Sequence, residues 1–387
     1  MTKTGMKRLV WLLGLVGLLV IGWLWWQEKA GAEVAAAPSL ISQLAQPNTA
    51  GFAQALEPGV MQFPRDLGPH PEYQTEWWYY TGNLQTAEGR QFGYQLTFFR
   101  SALVPENQFE TGDEGSDWRT NQVYLAHFTI SDIAEGQFYA EEQFSRGAAA
   151  LAGAQAEPYH IWLNNWQAEE VGPGQVRLLA QGEMTTLELV VTETRPPVLH
   201  GDEGLSAKGG APGNASYYYS LIGLDSAGMI TVNGESFAVT GESWKDHEYS
   251  TSALSEGSVG WDWYSIQLDN DYALMFFQIR REDGTLEPFS SGSWIDPQGN
   301  VTPLTLADWQ MEPLDSWTSP TSGAEYPIGW RLTLDTIGLE LEGQALMPNQ
   351  ELNVSTTYWE GASAFTGRLN GEPVTALGYV EMTGYAR

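Results

Sequence analysis

The strongest constraint on this chain is that large apolar side chains recur at every second position. Phe92, Tyr94, Leu96 and Phe98 alternate with Gly93, Gln95 and Thr97, and Leu187, Leu189 and Val191 repeat the pattern. Further on, Leu274, Phe276 and Gln278 share one side, with Met275, Phe277 and Ile279 on the other. A period of two belongs to a strand, whose successive side chains point to opposite faces. Leu332 and Leu334, then Leu339 and Leu341, flank Asp335–Gly338, which predicts a hairpin turn. Within residues 33–60 one stretch, Phe52–Leu56, carries a weak helical signal. The 42 glycines and 17 tryptophans suit sheet and turn better than helix. The predicted fold class is all-β, a barrel or a sandwich.

An internal echo divides the body. Trp77-Trp78-Tyr79-Tyr80 precedes the aromatic strand Phe92–Arg100, and Trp261-Asp262-Trp263-Tyr264 precedes Tyr272–Arg280. A repeat at this long spacing predicts a duplicated domain and not a solenoid of short units. The 387 residues leave room for it. Residues 61–250 and 251–387 are read as the two halves, and 33–60, small, polar and Pro-punctuated, as a linker. The Gly-rich stretch 201–213 is predicted to be a long loop.

Residues 1–32 read as an export signal or an anchor. Lys3, Lys7 and Arg8 precede the uncharged run Leu9–Trp26, roughly 27 Å long as a helix at about 1.5 Å per residue. Basic residues ahead of such a run hold the N-terminus inside, so the body is expected in the periplasm or beyond. Ala30-Gly31-Ala32 and Ala35-Ala36-Ala37 are cleavage candidates, whereas Trp23, Trp25 and Trp26 form the aromatic belt of a retained helix. Cleavage and retention in the inner membrane through residues 9–26 both stay open.

Composition removes several functions. Against 48 Asp+Glu there are only 18 Lys+Arg, a net charge of -30, and such a surface repels nucleic acid. Cysteine is absent, so there are no disulfides, thiolate metal sites or Cys nucleophiles. No nucleotide, flavin or nicotinamide fingerprint occurs, nor a G-x-S-x-G elbow. His127, His160 and His200 are scattered, and Asp246-His247-Glu248 lacks the i, i+4 spacing of helical zinc sites. The expectation is therefore no metal and no cofactor.

Several segments resemble the AttH/CrtC-like family, which includes carotenoid 1,2-hydratases (hydroxyneurosporene synthases) and proteins labelled secreted hydrolases. They are Phe63–Leu84, Gly213–Ser220, Gly241–Leu254, Gly260–Gly284 and Tyr358–Gly361, within a match spanning most of residues 61–387. The resemblance implies two tandem lipocalin-like antiparallel β-barrels packed side by side, with a site near their junction. The N-terminal segment resembles the secreted branch of the family.

The candidate site residues follow from chemistry. Asp246-His247-Glu248, between Trp244 and Tyr249, is the densest polar knot in an aromatic neighbourhood. Histidine suits proton transfer near neutral pH, and a carboxylate can orient it; the plain alternative is a surface turn. Asp262 faces away from Trp261 and Trp263 if the segment is a strand. Inside an apolar barrel it would stay protonated and act as an acid; in solvent it is only a charge. Glu76, His70 and Tyr73 carry the same ambiguity. Trp78 and Tyr80 lean to packing, though such rings can also line a pocket or face a carbocation.

Three functions are open. The first is a cofactor-independent hydratase of a long, unsaturated isoprenoid or carotenoid-like ligand. In it Asp262 or the Asp246/His247 pair protonates a double bond, Trp244, Trp261 or Trp263 holds the cation, and His247 or Tyr264 orients water. The second is a non-catalytic lipid or pigment binder outside the membrane. The third, from the family label alone, is a secreted hydrolase. Partners are thus a hydrophobic small molecule and, if the N-terminal segment is uncleaved, the membrane.

Overall fold

A computed structural model describes residues 49–109, 118–251 and 254–386. The N-terminal run Leu9–Trp26 lies outside them. Among the described residues no helix is long and apolar enough to cross a membrane, which says nothing about strands. The only helical segments described are two three-residue 3-10 turns, Arg65–Leu67 and Glu106–Gln108. Phe52–Leu56 is not helical. Its helical periodicity instead serves tertiary contacts: Ala53 N donates to Glu72 O at 3.0 Å, and Ala55 packs against Ala215, Tyr217 and Tyr249.

The chain forms two curled, barrel-like antiparallel sheets of 13 and 10 strands. In the first, Thr75–Gln85 pairs with its successor Gln91–Ala102 and with the last strand, Glu235–Ser250. In the second, Ser258–Leu268 pairs with Ala273–Arg281 and with the last strand, Glu372–Thr383. The aromatic echo thus marks the strand that closes each meander onto its own end. The Leu332/Leu334 and Leu339/Leu341 hairpin forms in the register expected, Leu334 opposite Leu339 and Leu332 opposite Leu341. Residues 201–213 are only partly loop, because Leu205–Ala207 pairs with the strand Ala215–Val232.

Each barrel has its own interior core. Trp78, Tyr80, Phe92, Tyr94, Leu96 and Phe98 fill the first, and Tyr264, Phe276, Trp330, Trp359 and Phe365 the second. A third cluster, containing Tyr79, Tyr218, Trp244, Trp263, Met275, Phe277 and Ile279, lies between the barrels. This corrects a simple inside–outside view of alternation. Gln95 and Thr97 sit on the outer face of their strand yet are wholly buried, because the second barrel covers them. Strands buried on both faces read as continuous apolar and aromatic runs, as Trp77–Tyr80 and Met275–Phe277 do.

Polar contacts fix the docking of the two barrels. Asn83 Nδ2 donates to Gly378 O at 3.1 Å, and Ser131 Oγ to Gln350 Oε1 at 2.7 Å. His127 Nδ1 meets the Tyr358 hydroxyl at 2.7 Å. A Cβ at Gly93 would lie 2.6 Å from that of Ala362, so close approach requires glycine there.

Candidate active site between the barrels

Strand alternation decides which groups meet. Along Glu235–Ser250, Trp244, Asp246 and Glu248 face the second barrel, while Lys245, His247 and Tyr249 face the first barrel's interior. Asp246 and His247 are therefore neighbours in sequence on opposite faces of one sheet. They do not form the acid–histidine pair expected from the sequence.

On the inner face, His247 belongs to a buried ionic network. Glu76 Oε1 lies 2.8 Å from His247 Nε2 and 2.8 Å from His70 Nδ1, and Glu76 Oε2 accepts from Arg100 Nε at 2.7 Å. Burial pushes the Glu76 carboxyl up, but Arg100 and the two histidines outweigh it and hold it well below the usual carboxylate range. An ionised carboxylate only accepts, so His247 Nε2 donates and Nδ1 accepts from the Tyr219 hydroxyl at 3.0 Å. Burial depresses His247 to about 3, leaving a neutral ring stacked on Trp78. His70 also suffers burial, yet its bonds to Asp66 and Glu76 raise it to about 9, so it is a cation.

His70, Glu76 and His247 bring ligating atoms within 4.8 Å of one another. Each of those atoms is already hydrogen-bonded, however, and a dication there would meet Arg100 and protonated His70. The arrangement is a packed network that orients its strands.

On the outer face lies a cleft of about 130 Å³ between the barrels. Trp77, Tyr79, Tyr218, Trp261, Trp263 and Phe277 supply its rings, and Asp246, Glu248 and Glu381 its carboxyls. Asp246 is 4% exposed. Its oxygens accept from the Tyr218 hydroxyl at 2.5 Å, from Trp244 Nε1 at 2.6 Å and from Ser220 Oγ. Those donors pull its pKa down, but burial dominates and pushes it up to about 7. Glu381, on the facing strand of the second barrel, is pushed to about 8 by burial and by the charges of Asp246 and Glu248, with Trp261 pulling the other way.

Glu248 takes a hydrogen bond from Ser216 Oγ and lies 3.1 Å from Lys208 Nζ. Behind the cleft, Tyr79 donates to Glu360 Oε2 at 2.6 Å, and burial holds Glu360 well above its ordinary range. Ser220 also lies 2.6 Å from His200 Nε2, whose Nδ1 is 2.8 Å from Ser293 Oγ. This braces the residue that braces Asp246.

The cleft thus gathers Asp246, Trp261 and Trp263 from the expected set, with Trp244 bonded to Asp246 at its edge. Glu76, another of that set, also lies along the lining, with its carboxylate held by Arg100 and the histidines. The rest of the set lies elsewhere. Asp262 faces the second barrel, 3.0 Å from Arg280 Nε; burial raises its pKa while Arg280 and Tyr385 oppose the rise. Tyr264 is core, stacked on Phe276 at 4.5 Å. Trp78 and Tyr80 are core of the first barrel.

Sequence reasoning did not find Glu381, Tyr218, Trp77 or Lys208. Tyr218 sits in the Gly213–Ser220 motif and Lys208 in the Gly-rich stretch, so both had a signal. Glu381 had none, because its relevance comes only from the pairing of Trp263 with Glu381.

Comparison with known proteins gives a consistent result. A family model described as AttH-like matches residues 54–385. A solved structure from Nitrosomonas europaea, provisionally named AttH, is 33% identical over 86% of this chain and 100% of its own, with a TM-score of 0.75. Kievitone hydratase from Nectria haematococca is 15% identical, covers 86% of this chain and 96% of its own, and has a TM-score of 0.65. CghA, solved with Sch210972, is 12% identical over 88% and 98%, with a TM-score of 0.53. The last two likenesses are of fold. Among curated proteins none matches.

Proposed function

The chain belongs to the AttH-like family, and from that premise we propose that it is a hydratase-type protein that adds water across a carbon–carbon double bond in the cleft between its barrels. One observation carries the reading. Asp246, nearly sealed from water, has a pKa pushed to about 7 and opens into a cleft walled by aromatic rings. A carboxyl with that pKa is a proton donor at neutral pH, where an ordinary aspartate is not.

The step balances without a cofactor. The Asp246 proton adds to one alkene carbon as the π bond opens, leaving a cation at the other. The faces of Trp263 and Trp77 stabilise that cation. Water bonds to it, and the proton the water loses returns to the Asp246 carboxylate. Lys208 and Ser216 hold Glu248 at the rim, and Glu381, raised to about 8 by burial, is a second carboxyl that holds its proton at neutral pH.

A cleft of about 130 Å³ is smaller than the roughly 300–1,000 Å³ of a site that engulfs a drug-sized ligand. It suits the reacting end of a longer apolar chain, such as an isoprenoid or carotenoid-like polyene, with the remainder outside. The fold likeness to a protein named as a hydratase supports the reaction class. Hydrolysis has less support: Ser220 is fully buried, donates its hydroxyl hydrogen bond to Asp246, and its histidine is oriented by Ser293 instead of a carboxylate. Export follows the basic residues before Leu9–Trp26, and fractionation of cells carrying the full chain tests it.

The test of hydration uses purified protein, a panel of terminally unsaturated isoprenoids and water labelled with oxygen-18. Mass spectrometry is expected to find labelled alcohol with the wild type. Asp246→Asn should slow its formation by about 100- to 10,000-fold. The wild-type rate should fall as pH rises through about 7, because the acid form is lost above it. Tight binding of an isoprenoid with no labelled product would replace this reading with the binder, and an Asp246→Asn variant as fast as wild type would remove the mechanism.

A further inference from the structure

The first barrel holds a second, separate cavity of about 510 Å³, within the usual size of a small-molecule site. It lies inside the barrel, on the opposite face of the strand Glu235–Ser250 from the cleft. Tyr80, Tyr159, Val191, Leu221 and Leu224 line it, and Lys245 reaches into it. The mouth is marked by exposed Glu157, Pro158 and Gln175.

Lys245 is unusual in three ways. It is one of only two lysines beyond residue 32, Lys208 being the other. It is 2% exposed. Its amine forms no ion pair among the described residues; it donates to the Tyr219 hydroxyl at 3.3 Å and sits over the Tyr159 ring at 4.6 Å. A buried ammonium with one hydroxyl partner is poorly compensated, and nothing in the hydration chemistry uses it. The Tyr80 and Tyr159 hydroxyls, 2.6 Å apart, line the same space.

We propose that this cavity is a carbonyl-binding site in which the Lys245 amine forms a reversible imine with a neutral aldehyde or ketone. The amine lone pair attacks the carbonyl carbon. The carbonyl oxygen gains a proton, relayed from the nitrogen through a tyrosine hydroxyl, to give a carbinolamine. That hydroxyl leaves as water with the second nitrogen proton, and a C=N bond remains. No oxidant or reductant is consumed. Charge selects the ligand class, since Glu157, Glu170 and Glu193 line the cavity and disfavour an organic anion. Burial also lowers Lys245 to about 7, against the pull of Glu193 and Glu76. At pH 7 about half of such an amine is free, against roughly one part in a few thousand for an ordinary lysine.

The scarcity of lysine makes the test clean. Full-length protein is treated with cinnamaldehyde and cyanoborohydride, then digested and mapped by mass spectrometry. The expected result is a reduced adduct on Lys245, at least about tenfold above that on Lys208, Lys3, Lys7 or Lys29 despite its burial. Labelling should rise through pH about 7; the titratable groups around the amine are Tyr80, Tyr219, Tyr159, Glu193, Glu170 and, at the mouth, Glu157, with His247 next but one along the same face and Glu76 bonded to it. Cinnamate, which has the same shape with a carboxylate, should give no protection. Lys245→Met should lose the adduct while keeping its urea midpoint, and if that variant does not fold the wild-type map decides alone. Adducts on Lys208 or the N-terminal lysines with Lys245 unlabelled would overturn the proposal, as would full protection by cinnamate.

Discussion

The two barrels wind alike and are filled differently. The first encloses an ionic chain, Asp66–His70–Glu76–Arg100, with His247 hanging from the same carboxylate. The second is filled by rings: Tyr264 stacks on Phe276 at 4.5 Å, and Trp330 meets Tyr264 edge-on at 5.8 Å. Its interior acid, Asp262, pairs with an Arg280 whose side chain is 20% exposed, against 1% for Arg100. Both barrels bury the surface that folding requires and both bury acids, but the first seals an arginine in with its acid, whereas the arginine paired with Asp262 reaches solvent. That network grips the inner face of Glu235–Ser250, whose outer face presents Asp246 to the cleft. The ring-filled barrel supplies the opposing wall.

The largest expected effect tests the difference in buried charge. Glu76→Ala strands Arg100 and protonated His70 away from water, and should cost about 3–5 kcal/mol. The matching truncation, Asp262→Ala, leaves an arginine that reaches solvent and should cost about 1–2 kcal/mol. Urea denaturation of both variants measures the gap, and equal losses would show that the two acids are equivalent after all.

Next comes pH. All five histidines lie between residues 70 and 247, so none belongs to the second sheet. His70 is raised in the folded state to about 9 from an ordinary 6.5. A raised histidine binds its proton more tightly when folded, so its contribution is complete below pH 6.5 and is lost as pH climbs through 9. Stability should decline over that window by roughly 1–3 kcal/mol, and the decline should flatten in His70→Gln. An unchanged slope in that variant would place the titration elsewhere.

The smallest effect concerns indole N–H groups. Trp78 Nε1 donates to Leu67 O at 3.1 Å in the first barrel, whereas Trp330 Nε1 in the second finds no acceptor among the described residues. Trp78→Phe should therefore cost about 1–2 kcal/mol more than Trp330→Phe, because it breaks a bond and strands a carbonyl. Thermal melts of the pair would sharpen the comparison, and the reverse order would break it.

Much of the architecture was legible from residues alone. The leucines around Asp335–Gly338 announced their own hairpin, since a period of two and a turn are local properties. Odd aromatic runs such as Trp77–Tyr80 carried the family resemblance. The same local rule placed Asp262 opposite Trp261 and Trp263. The candidate site was legible in part. Asp246 and two tryptophans were found, but His247 was paired with the wrong acid: its partner is Glu76, 171 positions away. Asp262 was weighed as a free acid because Arg280 comes from the neighbouring strand. Glu381 carried no pattern that singles out a site, being an ordinary charged residue until two barrels meet, whereas Lys208 was marked only by the Gly-rich stretch around it.

By itself the sequence determined the strands, their alternating faces and the family, because backbone geometry sets the period of two whatever lies nearby. Tertiary structure alone decided what each face looks at. The outside of the first barrel became an interior when the second barrel covered it, and the resulting loss of water is what pushes the Asp246 carboxyl up to about 7.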